Sequence, residues 1–334
     1  MNTTKIERLR QLVNGEPLKP VPYAIWRHFP QDDLYPKKLA RKHIEYVKKF
    51  DPLLLKISLN GRYCVVDWGC EIAFDKEKIT GSAHCVSYRI QNETDWETLE
   101  HLNVHEGMLG KQLRTLELIL KGIPDQTPCI FTVFNPLMVA SKLTEDRSLL
   151  KQSMQNNPEI FHEGLNTITK VTKDFAKAAI DIGASGIFLA TQEATYNFLT
   201  PELYEEFALQ YDLRILNTIK ERSEFNILHI HGENIMFDFI ADHYPVHALN
   251  WHDQLTPPSI IKAQEKFDGV LMGGIDEKNS LLQAPARITS QTIQSIAQAM
   301  NYRQFIAAPG CVIPITASDE KLSSIIEDIK SNLQ

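Results

Sequence analysis

Apolar residues along this chain gather into short runs that end in polar residues, and stretches with helical spacing separate the runs. Eight runs stand out: VPYAIWRH (21–28), PLLLKISL (52–59), PCIFTVFN (128–135), GIFLATQE (186–193), NILHIHGE (226–233), VHALNWHD (246–253), GVLMGGID (269–276) and FIAAPGCV (305–312). A near-continuous apolar run suits a strand covered on both faces, as in a parallel sheet. Helical spacing of apolar positions covers 37–50, 109–122, 158–183 and 201–222, with shorter helices over 234–243, 257–267, 285–300 and 317–332. Thr200 and Pro201 supply an N-cap and a first-turn proline for the 201–222 helix. Eight strands alternating with helices predict a single (β/α)8 TIM barrel over 1–334. A doubly wound open sheet is the alternative, but eight strands close without a leftover edge. The segment 60–105 breaks the alternation. It holds RYCVVDWGCEIAF and AHCVSYRI, which read as strands, and predicts an insertion after the second strand, a hairpin on the barrel rim.

In such a barrel the active site lies at the C-terminal ends of the strands. The polar residues that end the runs therefore converge. His229 and His231 are two apart on one strand and face the same way. With Cys311, at the end of the last run, they offer two imidazoles and a thiolate, the donor types zinc prefers. Three protein donors leave a fourth position open, as in catalytic zinc sites. Spacing alone leaves a plainer alternative standing: strand-end histidines that are simply satisfied polar residues, and a cysteine that packs as a small hydrophobe. Glu193 and Asp253 are the candidate catalytic carboxylates, either in the fourth position or orienting the imidazoles. Arg27 and Lys56 suit a carboxylate, sulfonate or phosphate tail on a substrate, or else pair with Asp67 or Asp276. Gln192, Asn250, His252 and Asp276 complete the candidate substrate-binding set.

Composition narrows the classes. The 334 residues carry a net charge of −7 and no Lys/Arg run, which argues against nucleic acid as a partner. No apolar stretch is long enough to span a bilayer, and MNTTKIERLR lacks a signal-peptide core, so a membrane partner is not expected and the cytoplasm is. The five cysteines, Cys64, Cys70, Cys85, Cys129 and Cys311, are scattered, with no C-x-x-C pair. They are no disulfide framework, and a metal site must draw on distant segments.

Four stretches carry a resemblance to a known family: DIGASGIFLATQEATYNFLTPELYEEFALQY (181–211), NILHIHGEN (226–234), VLMGGID (270–276) and FIAAPGCVIPITASDEKL (305–322). In this order they make the chain resemble the uroporphyrinogen decarboxylase superfamily over nearly its full length. The resemblance implies a (β/α)8 barrel. It also offers two chemistries. One branch removes carboxyl groups from porphyrinogen acetate arms without a cofactor. The other comprises zinc-dependent methyltransferases that move methyl groups between a corrinoid and a thiol, as in methylcobamide:coenzyme M methyltransferases.

Three departures argue against the decarboxylase branch. Its N-terminal R-Q-A-G-R-Y motif is here WRHFPQDD, with Arg27 but no second arginine; its F-S-D aspartate has no match in LLLKISLNGRY; and it places a histidine where Cys311 stands. The methyltransferase branch carries H-x-C in the strand-five segment and a cysteine in the APGC segment. His229 and Cys311 match that pattern, and His231 replaces the usual cysteine. That exchange keeps a zinc-binding donor but removes one negative charge, which makes a bound metal a stronger Lewis acid and a bound thiolate less electron-rich. The resemblance thus implies zinc on His229, His231 and Cys311, a small thiol substrate, and a methyl donor such as a corrinoid on a partner protein. Superfamily relatives are often dimers, which makes a homodimer one option. A porphyrinogen decarboxylase and a non-catalytic barrel homologue are the alternatives.

Overall fold

The computed structural model describes residues 3–75, 79–124, 127–279 and 286–331. Among them are nine strands: β1 (Leu55–Ile57), β2 (Ile72–Ala73), β3 (His84–Cys85), β4 (Cys129–Phe134), β5 (Gly186–Thr191), β6 (Ile227–Ile230), β7 (Ala248–Trp251), β8 (Val270–Ile275) and β9 (Phe305–Pro309). Seven of these form one parallel sheet in the order β1-β4-β5-β6-β7-β8-β9. Each of the seven is buried along its whole length, which explains their continuous apolar character. Helices connect successive strands, so the sheet curls in the manner of a TIM-like α/β fold.

The expectation of eight strands needs correcting. The first run, 21–28, forms no strand; only Tyr23 bridges Ala307, in parallel. Ala24 N–H donates to the Ala307 carbonyl at 3.0 Å, and Ala307 N–H donates to Pro22 at 2.9 Å. On its other side the Leu53 N–H donates to the Tyr23 carbonyl at 2.9 Å. The segment thus ties β9 to the chain that enters β1, but only one residue wide. Pro20 and Pro22 have no N–H to extend the ladder toward the N-terminus.

The 60–105 segment also differs in detail. Tyr63–Val66, expected as strand, is a single helical turn. The hairpin is present, but its ladder holds only two residue pairs, Ile72–Cys85 and Ala73–His84. Three further helices were not among those expected: Lys5–Val13, Pro136–Leu143 and Arg147–Asn156. In Pro136–Leu143 every residue but Ser141 is buried, so no polar face reveals its period. The 201–222 helix runs as expected but contains a π-helical turn at Glu205–Leu209. No helix among the described residues is long and apolar enough to cross a membrane.

Asp67, one of the two acids expected near Arg27 and Lys56, serves the fold instead. Its carboxylate accepts from the N–H groups of Met108 at 2.7 Å and Leu109 at 2.9 Å, capping the helix Gly107–Gly122 from outside. Gly107 takes a left-handed φ of 56°, and a Cβ there would lie 2.3 Å from Asp67 Oδ1. Asp67→Ala removes two charge-assisted bonds at a helix N-terminus. Its expected effect is a loss of about 1–3 kcal/mol, measured as a lower urea midpoint with an unchanged slope; an unchanged midpoint would show that the cap adds nothing.

Candidate metal centre

Strand register builds the centre. β6 and β7 pair in parallel with His229 opposite Asn250, and the next same-facing positions, His231 and His252, follow at the strand ends. The His231 and His252 rings lie 4.9 Å apart between centroids, with His252 Nε2 3.2 Å from His231 Nδ1. β9 brings the last donor: Cys311 Sγ lies 3.7 Å from His231 Nδ1. One donor atom from each of His229, His231, His252 and Cys311 falls within 4.8 Å of all the others. The sequence placed His252 among substrate-binding residues; here it joins the donor cluster.

Two outer contacts decide which nitrogens face inward. The Asn250 amide donates to the carbonyls of Met272 at 3.0 Å and Pro309 at 3.1 Å, which leaves its oxygen as acceptor. His229 Nδ1 therefore donates to Asn250 Oδ1 at 2.7 Å, and the free lone pair is on Nε2. His252 Nδ1 donates to Glu277 Oε1 at 2.6 Å, turning its Nε2 into the cluster. The other Glu277 oxygen accepts from the Gly310 N–H at 3.1 Å, just before Cys311. Glu277 thus couples an imidazole to the cysteine loop. A carboxylate behind an imidazole is the usual support of a metal-binding histidine.

Electrostatics inside the cluster are strong. Burial pushes the Cys311 thiol up, but hydrogen bonds from His229, His231 and His252 outweigh it and hold the group well below the ordinary thiol range. Burial disfavours a charge on His252, but Cys311 and Glu277 overcome this and raise it to about 10. Burial lowers His229. Three imidazoles and a thiolate-prone sulfur suit zinc or another borderline-soft divalent ion.

His229, His231 and Cys311 also line a cavity of about 270 Å³. Lys56, Lys142 and the half-buried Arg62 line it too, and among the described residues no carboxylate does. Burial lowers Lys56 to about 8, against the pull of Cys311, and it lowers Lys142 to about 7. Lys56 Nζ stands 4.8 Å over the Phe188 ring, and Lys142 Nζ 5.0 Å over that of Phe134. Gln192 lines the cavity as well.

The remaining candidates are occupied elsewhere. Glu193 is fully buried and paired with Arg147 at 3.3 Å. Asp253 accepts from the Gly274 N–H with both oxygens at 3.1 Å, and burial raises it to about 7. Neither belongs to the donor cluster. Arg27 pairs with Asp319 at 2.9 Å and donates to the Ala317 carbonyl, so its partner is neither Asp67 nor Asp276. Asp276 caps its own turn through Lys278 and Asn279. Sequence reading missed Glu277, the neighbour of the acid it selected, and Lys142, hidden in an apolar helix.

The chain matches the sequence model of the uroporphyrinogen decarboxylase (URO-D) family over residues 35–331. It is 21% identical over 246 residues to the methylcobamide:CoM methyltransferase MtbA of Methanosarcina acetivorans, covering 74% of this chain and 70% of that one. It is 22% identical over 248 residues to a uroporphyrinogen decarboxylase of Sulfurimonas denitrificans, covering 71% and 68%. Its fold is similar to that of a methyltransferase from Methanosarcina mazei, with a TM-score of 0.84, 19% identity and 98% of each chain covered.

The close approach of the cysteine loop is testable. A Cβ at Gly310 would lie 2.7 Å from His252 Cα and 2.9 Å from the Trp251 carbonyl oxygen, both backbone atoms. Gly310→Ala is expected to destabilise the fold by about 1–3 kcal/mol. Gly61→Ala, whose Cβ meets only the Ser82 side chain at 3.4 Å, stays within about 0.5 kcal/mol. Equal urea midpoints for the two variants would contradict this packing.

Proposed function

The chain belongs to the uroporphyrinogen decarboxylase family, and from that premise we propose that it is a zinc-dependent methyltransferase acting on a small thiol with an anionic tail. The observation that carries the reading is the convergence of four donors within 4.8 Å beside a cavity that Lys56, Lys142 and Arg62 also line. Zinc, when bound, would keep a substrate sulfur as its thiolate at neutral pH. His229 through Nε2, His231 and Cys311 would hold it, with the fourth position left to the substrate sulfur. These three also line the cavity, whereas His252 belongs to the donor cluster without lining it. Asn250 and Glu277 fix the imidazoles of His229 and His252 from behind.

Lys56, Lys142 and Arg62 receive the tail. Buried cations without a carboxylate beside them in the wall are costly to maintain, and an anionic ligand offsets that cost. The methyl donor in this reading is a corrinoid on a partner protein, the kind of donor that the name of the Methanosarcina acetivorans relative carries. The whole chain, 1–334, then works as one barrel closed by the 21–28 segment, in the cytoplasm, with a homodimer as its assembly. Cofactor-free decarboxylation is the second reading, and the cavity cations favour it. A cavity of about 270 Å³ fits a substrate of a few carbons far better than a tetrapyrrole with its acid arms.

Metal content tests the reading first. Protein purified without chelator is expected to hold about one zinc per chain, lost in His231→Ala and in Cys311→Ser, and to methylate a thiol from a methyl-corrinoid. Wild-type protein that takes up no zinc at neutral pH would end this proposal, and coproporphyrinogen formed from uroporphyrinogen III would select the second reading. Tail recognition has its own test. Lys142→Met is expected to raise KM for a sulfonate-bearing thiol by about 10–100-fold and leave a neutral thiol of equal length unchanged. Lys142 is charged below about 7 and neutral above it in the free protein, so affinity for the anionic thiol falls as pH rises through that value. A flat binding profile from acid to alkaline pH would remove Lys142 from the tail site.

A further inference from the structure

The three cations of the cavity fall into two groups with different neighbours. Lys56 comes from β1 and is 4% exposed. Its Nζ stands 4.8 Å over the Phe188 ring and 6.0 Å from that of Trp26. The Phe188 ring in turn stacks on His229, with 5.2 Å between centroids. Lys56 also feels the charge of Cys311. It therefore lies with the donor cluster. Lys142 comes from the helix Pro136–Leu143 and is 8% exposed. Its Nζ stands 5.0 Å over Phe134, whose ring stacks on Tyr63 at 5.2 Å, and Tyr63 follows Arg62 in the chain. The charges that act on Lys142 are those of Arg62, Cys64, Glu193 and Cys85, none of which belongs to the donor cluster. The two ring positions, Phe134 and Phe188, share one face of the β4–β5 pair, since Phe134 stands opposite Ala190. One strand and two residues apart, their Cα atoms are separated by roughly 8 Å.

Neither group has a counter-ion in place. Lys56 Nζ reaches only the Ser58 hydroxyl, at 3.5 Å. Glu193, the carboxylate felt by Lys142, is paired with Arg147. The Nε of Arg62 is buried without a hydrogen-bond partner. One acid group bound at either place leaves a buried cation at the other unpaired, and that is costly. We propose that the substrate is a small diacid thiol, with one acid group near the sulfur held by Lys56 and a second, further from it, held by Arg62 and Lys142. This assignment rests on the thiol methyltransferase reading and narrows its substrate class.

Charge and shape agree with two acid groups. A divalent ion shared by the Cys311 thiolate and a substrate thiolate is neutral overall, so the cavity cations answer to the tail alone. The guanidinium of Arg62 offers a planar fork to the remote carboxylate, with Lys142 as a point charge beside it. Lys56 is a single ammonium on a strand of the sheet, so it meets the inner carboxylate at a fixed place. Phe188 and Phe134 hold the two lysine heads over ring faces while the cavity is empty of an anion. A four-carbon diacid is small enough for about 270 Å³.

Calorimetric titration of the full-length protein at about pH 6.5 tests the pairing, below the values to which burial takes both lysines. The probes are succinate against butyrate, which need no sulfur–metal contact, and mercaptosuccinate against 3-mercaptopropionate. Each diacid is expected to bind wild-type protein about 10–100-fold more tightly than its monoacid. Lys56→Met is expected to cancel that advantage. Equal wild-type affinities for diacid and monoacid, or an advantage that survives in Lys56→Met, would overturn the proposal. The wild-type ratio decides the matter if the variant does not fold. The succinate advantage is expected to persist in Cys311→Ser, and its loss there would assign it to the metal site instead and overturn the proposal. Failure of the methyltransferase reading is distinct: a protein that takes up no zinc but prefers succinate keeps the two-anion cavity and loses the thiol chemistry. Zinc uptake with methyl transfer to 3-mercaptopropionate as readily as to mercaptosuccinate would end the diacid assignment alone.

Discussion

The centre depends on one register. Parallel pairing of β6 with β7 sets His229 against Asn250, and the same step carried two residues further sets His231 against His252. A slip of β6 by one residue would turn His229 and His231 to the opposite face, away from Asn250 and His252. Both strands are buried on both sides, so their apolar neighbours fix the register without help from the histidines. The imidazoles are thus held by the core of the fold rather than by a loop. That precision is what a metal-binding constellation requires.

The second requirement is to bring Cys311 to the same point, and here a single carboxylate does two jobs. Glu277 holds His252 by one oxygen and the Gly310 backbone by the other. Gly310 admits the approach because it has no Cβ to meet His252. Charge follows the same line: Glu277, His252 and Cys311 alternate in sign when the imidazole is protonated, and each stabilises its neighbour. A metal cation in the cluster would take over the role of that proton, since His252 must be neutral to donate its Nε2 lone pair. Glu277 then balances the metal at one remove.

Much of the fold and part of the site were legible in the sequence, for identifiable reasons. Seven of the eight apolar runs became sheet strands because continuous burial leaves a plain signature. The first run failed where Pro20 and Pro22 withhold the donors a ladder needs. The two histidines of β6 were readable because a strand period of two fixes their common face. Their relation to His252 was not, because it rests on pairing between strands, which no local pattern states. Glu277 was not readable because it follows β8, where the strand period no longer tells which of two adjacent acids faces inward. Lys142 escaped because its helix is buried almost all round. Arg27 was misread for a different cause: its partner, Asp319, lies almost at the other end of the chain.

The donor cluster and the cavity cations make opposite demands, and that contrast narrows what can occupy the cavity. The donor side concentrates lone pairs and a thiolate-prone sulfur, so it favours a cation. Lys56 and Lys142, held over aromatic rings, line the same cavity with Arg62, and together they favour an anion. Glu193 is near enough to Lys142 to be felt but is committed to Arg147. On the proposed reading, an occupant that satisfies both demands carries a soft, metal-seeking atom and a negative group. A short thiol acid has that form. A porphyrinogen has the negative groups but neither the size nor the sulfur, and a neutral thiol would leave the buried cations without a partner. On the proposed reading, the cations hold the tail of the substrate and the donor cluster holds its sulfur.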